Sequence, residues 1–447
     1  MSFIFSVSYA GKGNVMKKSL LLLTVVLIAF MAQAQFKNIL LDPGGPNNRA
    51  CEPSIAINLD NPKIIVAASV LNNVYYTSNG GFSWKKSKLT SPLGVWGDPV
   101  MISDFKGNFY YFHLSDPTGK NWASEEILDR IVVQESNDDG DTWSEGTSIG
   151  LNHPKDQDKE WAVADRKGNL YVTWTQFDKY GSDDPSCQSN ILLSKSSNGK
   201  KWSKPIQISQ TPGDCKDDDN TTEGAVPAVT ADGSKVFVAW ANQNKIFLDR
   251  SFDEGKMWLT NDIVIAEQPG GWAMNIPGIN RCNGMPVLVC DNTKKGRLSG
   301  ALYIVWADQR NGEDDTDIWF MRSMNFGDNW TQPQRINDDP KGKHQFLPWI
   351  TVDPATGHVY IVYYDRRNYD DMQTDVYLAY STDGGANFKN VRISETPFVP
   401  NAEVFFGDYN NISASHGIIT PIWTRMENRQ TSVWTAVIKH EELENVK

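Results

Sequence analysis

The chain is expected to be all-β, a β-propeller whose four-stranded blades stand in a ring. Three observations predict it. An eight-residue turn pattern returns six times, a second apolar theme fills each interval, and the last unit lacks one strand that the N-terminal stretch could supply.

The turn pattern is clearest in Ser136-Asn137-Asp138-Asp139-Gly140-Asp141-Thr142-Trp143. Near-copies end at Trp84, Trp202, Trp258, Trp330 and Phe388. Those over 251–258 and 381–388 are best preserved, whereas the copy at Trp202 is degenerate, with Lys195 and Ser197 in place of the Ser and Asp. Such an octet suits a hairpin turn: Asp or Asn caps backbone N–H groups, Gly supplies positive φ, and the aromatic ring packs into the adjacent sheet. Its role is therefore structural.

Between octets an apolar strand, a Gly or Asn turn and an alternating aromatic strand recur. Asp165-Arg166-Lys167-Gly168-Asn169 precedes Leu170-Tyr171-Val172-Thr173-Trp174, and Thr356-Gly357-His358 precedes Val359-Tyr360-Ile361-Val362-Tyr363. A short outer strand such as Pro205-Ile206-Gln207-Ile208-Ser209 follows each octet. The octets lie 59, 59, 56, 72 and 58 residues apart, which makes six units. A seventh runs from Gly407 to Ile438 and stops after three strands, and Phe36–Leu41 resembles the missing fourth. Seven blades, closed by the two chain ends sharing one, is the favoured count; six is the alternative.

Met16-Lys17-Lys18, the apolar run 19–31 and Ala32-Gln33-Ala34 read as an export signal cleaved after Ala34. Residues 1–15 precede that signal and are expected to lie upstream of the true start, so 1–34 is set apart and 35–447 is expected to form a single domain. The protein is accordingly expected to be secreted or periplasmic. No membrane anchor is expected, since no later apolar run would span a bilayer.

Lys and Arg number 43 against 54 Asp and Glu, a net charge of −11, and losing residues 1–34 removes three lysines and no acid. This balance disfavours nucleic acid or an anionic membrane as partner. Of five cysteines, Cys187 and Cys215 are the best pair because the repeat puts both in loops on one face, whereas Cys282 and Cys290 flank a predicted strand too long to bridge. Scattered histidines and the lack of CxxC leave no zinc site, so no metal or cofactor is expected; a structural calcium is the alternative.

The six octets resemble the Asp box of the sialidase (BNR-repeat) superfamily, over a stretch from about Glu52 to Phe388. The resemblance implies a propeller carrying its site on the face opposite the octets. It also implies three arginines for the substrate carboxylate, one in an Arg-Ile-Pro motif, a Tyr–Glu nucleophile and an Asp acid/base. The chain departs from that pattern. Sialidases have six blades, and here Arg49-Ala50-Cys51-Glu52-Pro53 puts Glu52 where the family arginine would stand.

Aligning the residue ahead of each inner strand gives Glu52, Asp98, Glu160, Val226, Met285, Leu347 and Asp408 for blades one to seven. Four carboxylates thus fall on neighbouring blades, where like charges raise each other's pKa and suit a general acid beside an ionised partner; capping of strand starts is the structural alternative. Catalytic candidates are Asp98 or Glu52 as acid, with Asp408 and Tyr409 on the opposite wall. Arg310, Arg366, Arg367 and Arg425 are candidates to grip an anionic group in bidentate fashion. For Arg310 and Arg367 the rival reading is local pairing with Asp308 and Asp365. Trp122, in the long blade-two loop, is a candidate to stack on sugar, and the acidic runs 217–219 and 313–315 read as solvated loops.

These readings point to a glycoside hydrolase, exo-sialidase-like, for an acidic or substituted sugar, with a glycan or glycoconjugate as partner. The rival is a non-catalytic propeller that binds a glycan or protein through the same rim.

Overall fold

In a computed structural model, residues 36–446 form seven antiparallel sheets arranged as the blades of one ring. Blade 1 spans Ser54–Ile57 to Lys85–Lys88, blade 2 Val100–Ser103 to Thr147–Ile149, blade 3 Asp156–Ala164 to Ile206–Gln207 and blade 4 Glu223–Val229 to Ile263–Glu267. Blade 5 runs from Val287–Cys290 to Gln334–Arg335, and blade 6 from Gln345–Val352 to Lys389–Arg392. In blade 7, Asn411–Ser415, Ile418–Glu427 and Gln430–Thr435 are joined by the N-terminal strand Ile39–Asp42, in register Ile39↔Thr435 and Leu40↔Trp434. The count is seven, not six, and the chain ends close the ring. Pairing both chain ends in one sheet ties the seam with backbone hydrogen bonds and holds the ring closed. The expected export signal lies outside the described residues.

The octets are the turns between the third and fourth strands, and their hydrogen bonds follow from residue type. Ser136 Oγ donates to Asp138 and accepts the Gly140 N–H, Asp138 accepts the Thr142 N–H at 2.9 Å, and the Trp143 indole donates to the Gly140 carbonyl. Gly140 stands at φ 89°, with Val66 Cγ2 2.9 Å from where a Cβ would project, so no larger residue fits. The turn ending at Trp202 is shortened rather than degenerate: Ser196 and Asn198 make the equivalent bonds, and Trp202 donates to Gly199. One deleted residue had displaced the alignment by one position.

Second strands bury a large residue at one repeated position. It is Trp174, Trp240, Trp306, Tyr363 and Trp423 in blades 3 to 7, all fully buried between blades, but Ser69 and His113 in blades 1 and 2. Each of those indoles contributes about 3–5 kcal/mol relative to Ala. The smaller residues in blades 1 and 2 fall beneath the part of the rim where the cleft opens.

Cys187 and Cys215 are joined, their Cα atoms 5.8 Å apart, while Cys51, Cys282 and Cys290 are free and buried. Among the described residues no helix is long and apolar enough to cross a membrane.

Candidate active site

A repeated kink builds the rim. Two residues ahead of Ser54, Val100, Trp161, Val226 and Trp349, which start or resume pairing with the second strand, the backbone turns left-handed. These residues are Glu52 (φ 50°), Asp98 (47°), Lys159 (51°), Gly224 (71°) and Leu347 (49°). Four are not glycine, and such strain in bulky residues persists where the surroundings hold it, commonly at functional sites. The same position is Met285 in blade 5 and Tyr409 in blade 7.

The rim therefore holds Lys159, Gly224 and Tyr409 where counting from strand starts had put Glu160, Val226 and Asp408. In blade 3 the cause is a bulge between Asp158 and Trp161, where one unpaired residue reverses which side chains face the axis; blade 4 carries a matching bulge between Glu223 and Val226.

Lys159 is the centre of the cluster. Its buried ammonium lies 3.5 Å from Asp158 and Asp217 and 3.8 Å from Glu223 and Asp408. Arg281 is the second cation: Nε donates to Asp408 Oδ1 at 2.9 Å, Nη2 to Asp408 Oδ2, and Nη1 to Asp217 Oδ2 at 2.7 Å. The Tyr180 hydroxyl donates to Asp217 at 2.6 Å. Glu52 accepts the Asp408 N–H at 3.2 Å, a close approach that Gly407 permits, since a Cβ there would lie 2.9 Å from the Glu52 nitrogen.

Carboxylates outnumber the cations, and their proton affinities split accordingly. Burial, then the Asp158 charge, raises Asp98 to about 7 despite Lys159. Burial with Asp98 and Asp408 nearby pushes Glu52 well above the carboxylate range. Glu160 and Glu223 are raised by burial first and by Asp98 and Asp217 next, and neither carboxyl has a hydrogen-bond partner in the ladder or loops around it. Burial alone would raise Asp217, but Lys159 and Arg281 outweigh it and hold it low. A proton donor, Asp98, thus sits beside ion-paired carboxylates.

Above the cluster opens a cleft of about 540 Å³, walled by Trp96, Trp122, Tyr180 and Phe405 and floored by Glu52, Asp98, Asp158 and Lys159, with Arg281 at its end. Trp122 is exposed, stacks on Tyr180 at 5.8 Å and meets Trp96 edge-on at 6.3 Å.

The structure brings together Asp98, Glu52, Asp408, Tyr409 and Trp122. Tyr409 is buried edge-on to Trp161 at 5.0 Å, and burial and the Glu52 charge hold its phenol well above its ordinary value, so it packs as an aromatic plug. The four arginines do not gather there. Arg310 is paired with Asp308 at 2.9 Å and stacked over Trp319. Arg367 is paired with Asp365 at 2.8 Å and with Asp338. Arg366 is buried, donates to Thr374 and is lowered to about 10 by burial. Arg425 donates to Thr396 and to the Pro397 carbonyl. Each side chain turns back along its own blade, because the partner two residues away or in the next loop is nearer than the axis.

Lys159, Asp158, Asp217, Glu223 and Arg281 were missed by the sequence reading. The Asp217 side chain in particular is only 5% exposed and belongs to the cluster instead of pointing into solvent from a loop. Two signals mark them: five consecutive polar residues, 156–160, open an inner strand that should be apolar, and the 72-residue octet spacing flags an insertion. That insertion forms a hairpin, Ala273–Met274 with Cys282–Asn283, which carries Arg281 to Asp408. Among the described residues no group of three or more His, Cys, Asp or Glu has the geometry of a metal site.

What the blades and rim define is an all-β propeller of seven blades with an acidic, aromatic-walled cleft on the face opposite the octets. No protein-family model matches the chain, and no curated protein matches it. Among solved structures it is similar to a Hadza microbial sialidase, with 14% identity, 84% of this chain and 73% of that one covered, and a TM-score of 0.47. It is also similar to the NanB sialidase from Streptococcus pneumoniae (11% identity, 77% and 68% covered, TM-score 0.48). A third is an alpha-L-arabinanase from Penicillium chrysogenum complexed with arabinobiose (12% identity, 91% and 98% covered, TM-score 0.49). At such identities and TM-scores no residue role is carried across.

Proposed function

We propose that the protein is an exported glycoside hydrolase acting on a neutral or substituted sugar. The observation that carries this reading is a proton-bearing Asp98 on the cleft floor, backed by the ion-paired Asp408 of the buried cluster and lying beneath an exposed aromatic wall. A carboxyl titrating near neutrality can protonate a leaving oxygen, while a neighbouring carboxylate stabilises positive charge developing on the sugar ring. Glu52, adjoining both, is the second acidic candidate. Tyr409 supports the floor and does not attack, since its buried phenol is far from deprotonation. Trp122 supplies a stacking face. The mouth gives a sugar carboxylate little to grip: Lys159 and Arg281 are already held by acids, and Arg49 is the one cation lining the cleft outside an ion pair among the described residues.

A panel of chromogenic glycosides covering neutral, N-acetylated, uronic and sialic sugars tests the reading. Turnover of a neutral or substituted glycoside, abolished by Asp98→Asn, is expected. Preferential cleavage of the sialoside would overturn the charge argument. No turnover, with glycan binding that Trp122→Ala removes, would replace the hydrolase by a binding propeller.

A further inference from the structure

The face opposite the cleft carries the reverse charge. There the turns between first and second strands meet at the axis around a hollow of about 530 Å³, whose charged lining is Arg166 from blade 3, Lys294 and Lys295 from blade 5, and Asp60 from blade 1. In a chain with net charge −11, this is a local cationic pole.

Two features separate it from scattered surface lysines. First, Arg166 is fixed and has no ion-pair partner among the described residues. Its Nε donates to the Asn292 carbonyl at 2.7 Å and its Nη2 to the Pro354 carbonyl at 2.9 Å, and its guanidinium lies 4.2 Å from the centre of the Phe105 ring. No carboxylate lies within ion-pair distance of Arg166, Lys294 or Lys295 among the described residues. Burial lowers the Arg166 pKa, and the charges of Asp60 and Asp291 offset this only in part, so an anion in the hollow would favour the charged guanidinium. Second, the lysines sit on an enlarged element. The connection between Cys290 and Leu302 is longer than its counterparts, such as Ser103 to Phe109 and Val352 to Val359, and carries Lys294, Lys295 and Arg297 within four residues. Asp291, which could pair with them, is instead turned inward to Thr293.

We infer that this axial hollow is an anion site for a sulfate or phosphate monoester. A planar guanidinium with two ammonium groups beside it matches a compact dianion better than a single carboxylate. The volume is that of a small-molecule pocket, so the oxyanion would arrive on a carrier such as a sugar ring, with His416 and Phe105 at the wall. The inference stands apart from the hydrolase reading, because no residue of the cleft takes part.

The test is calorimetric titration of the full chain, at low and at physiological ionic strength, with a sugar monosulfate, a sugar monophosphate, inorganic sulfate and inorganic phosphate. Saturable one-to-one binding that weakens with salt is expected. Arg166→Gln and the double variant Lys294→Gln/Lys295→Gln should each weaken it at least about tenfold. Asp98→Asn should leave it unchanged. Ester binding stronger than that of the free ion supports a carried group, and equal binding supports the ion itself. The double variant changes only exposed side chains, so it decides the matter even if Arg166→Gln destabilises the ring. Absence of saturable binding by all four anions, or undiminished binding in the double variant, overturns the site.

Discussion

Replacing Asp98 by Asn should make the protein more stable at neutral pH and inactive at every pH. The carboxyl moves from an ordinary 3.8 to about 7 on folding. A group whose folded value is raised contributes stability that is full below its unfolded value and lost as pH climbs through the folded one. For Asp98 the loss runs between about pH 4 and 7 and corresponds to roughly 4 kcal/mol if nothing screens it. The side chain is only half-buried, at a cleft open to water, so about 2 kcal/mol is the better figure. Asparagine keeps the shape and never ionises, and it also relieves Glu52 and Glu160, for which the Asp98 charge is a raising influence. With an unfolding entropy of about 2 cal/mol/K per residue over roughly 410 residues, about 2 kcal/mol raises Tm by ~2–3 °C. Thermal unfolding of both proteins from pH 4 to 8 should show coincident melting at pH 4, divergence through pH 7 and a plateau above. Glycoside turnover should be lost throughout. An Asn variant that is no more stable at pH 8, or that hydrolyses normally, would refute the assignment.

Arg281→Gln leaves Asp217 and Asp408 buried with only Lys159 to answer them, and since the Arg281 side chain is itself 34% exposed the loss is about 2–3 kcal/mol, or ~3 °C in Tm. Because Asp217 is depressed, the gap from the parent should be full above about pH 4 and narrow on acidification below it, as denaturant melts would show. Trp122→Ala removes an exposed stacking face, so KM or Kd for a bound saccharide should rise roughly tenfold while Tm stays within about a degree. Cys187→Ser/Cys215→Ser opens a loop of 28 residues' separation and should destabilise by about 3–4 kcal/mol in the chain-entropy account, lowering Tm by ~4 °C in calorimetry.

The amino-acid sequence by itself determined the architecture. Turn chemistry and strand alternation are local properties, so six octets, the apolar second strands and a final unit short by one strand were enough to foresee seven blades sealed by Ile39–Asp42. The rim positions of Glu52 and Asp98 were equally legible, because each lies at a fixed distance ahead of a repeated inner strand, whereas Asp408 stands one position off that landmark and Trp122 lies in a long loop outside the repeat. Only the tertiary structure decided which cations serve the cleft. Arg310 and Arg367 are each captured by the acid two positions away, the pairing their spacing had offered as the rival, while Arg281 travels on an insertion to an acid 127 residues distant. Lys159 reached the axis because a bulge turned the side chain that periodicity had pointed elsewhere; the polar run 156–160 flags the strand but not which of its side chains faces inward. Local spacing sets what a strand is, whereas ring closure sets which charges meet, and long-range pairing of charges leaves no periodic trace in a chain.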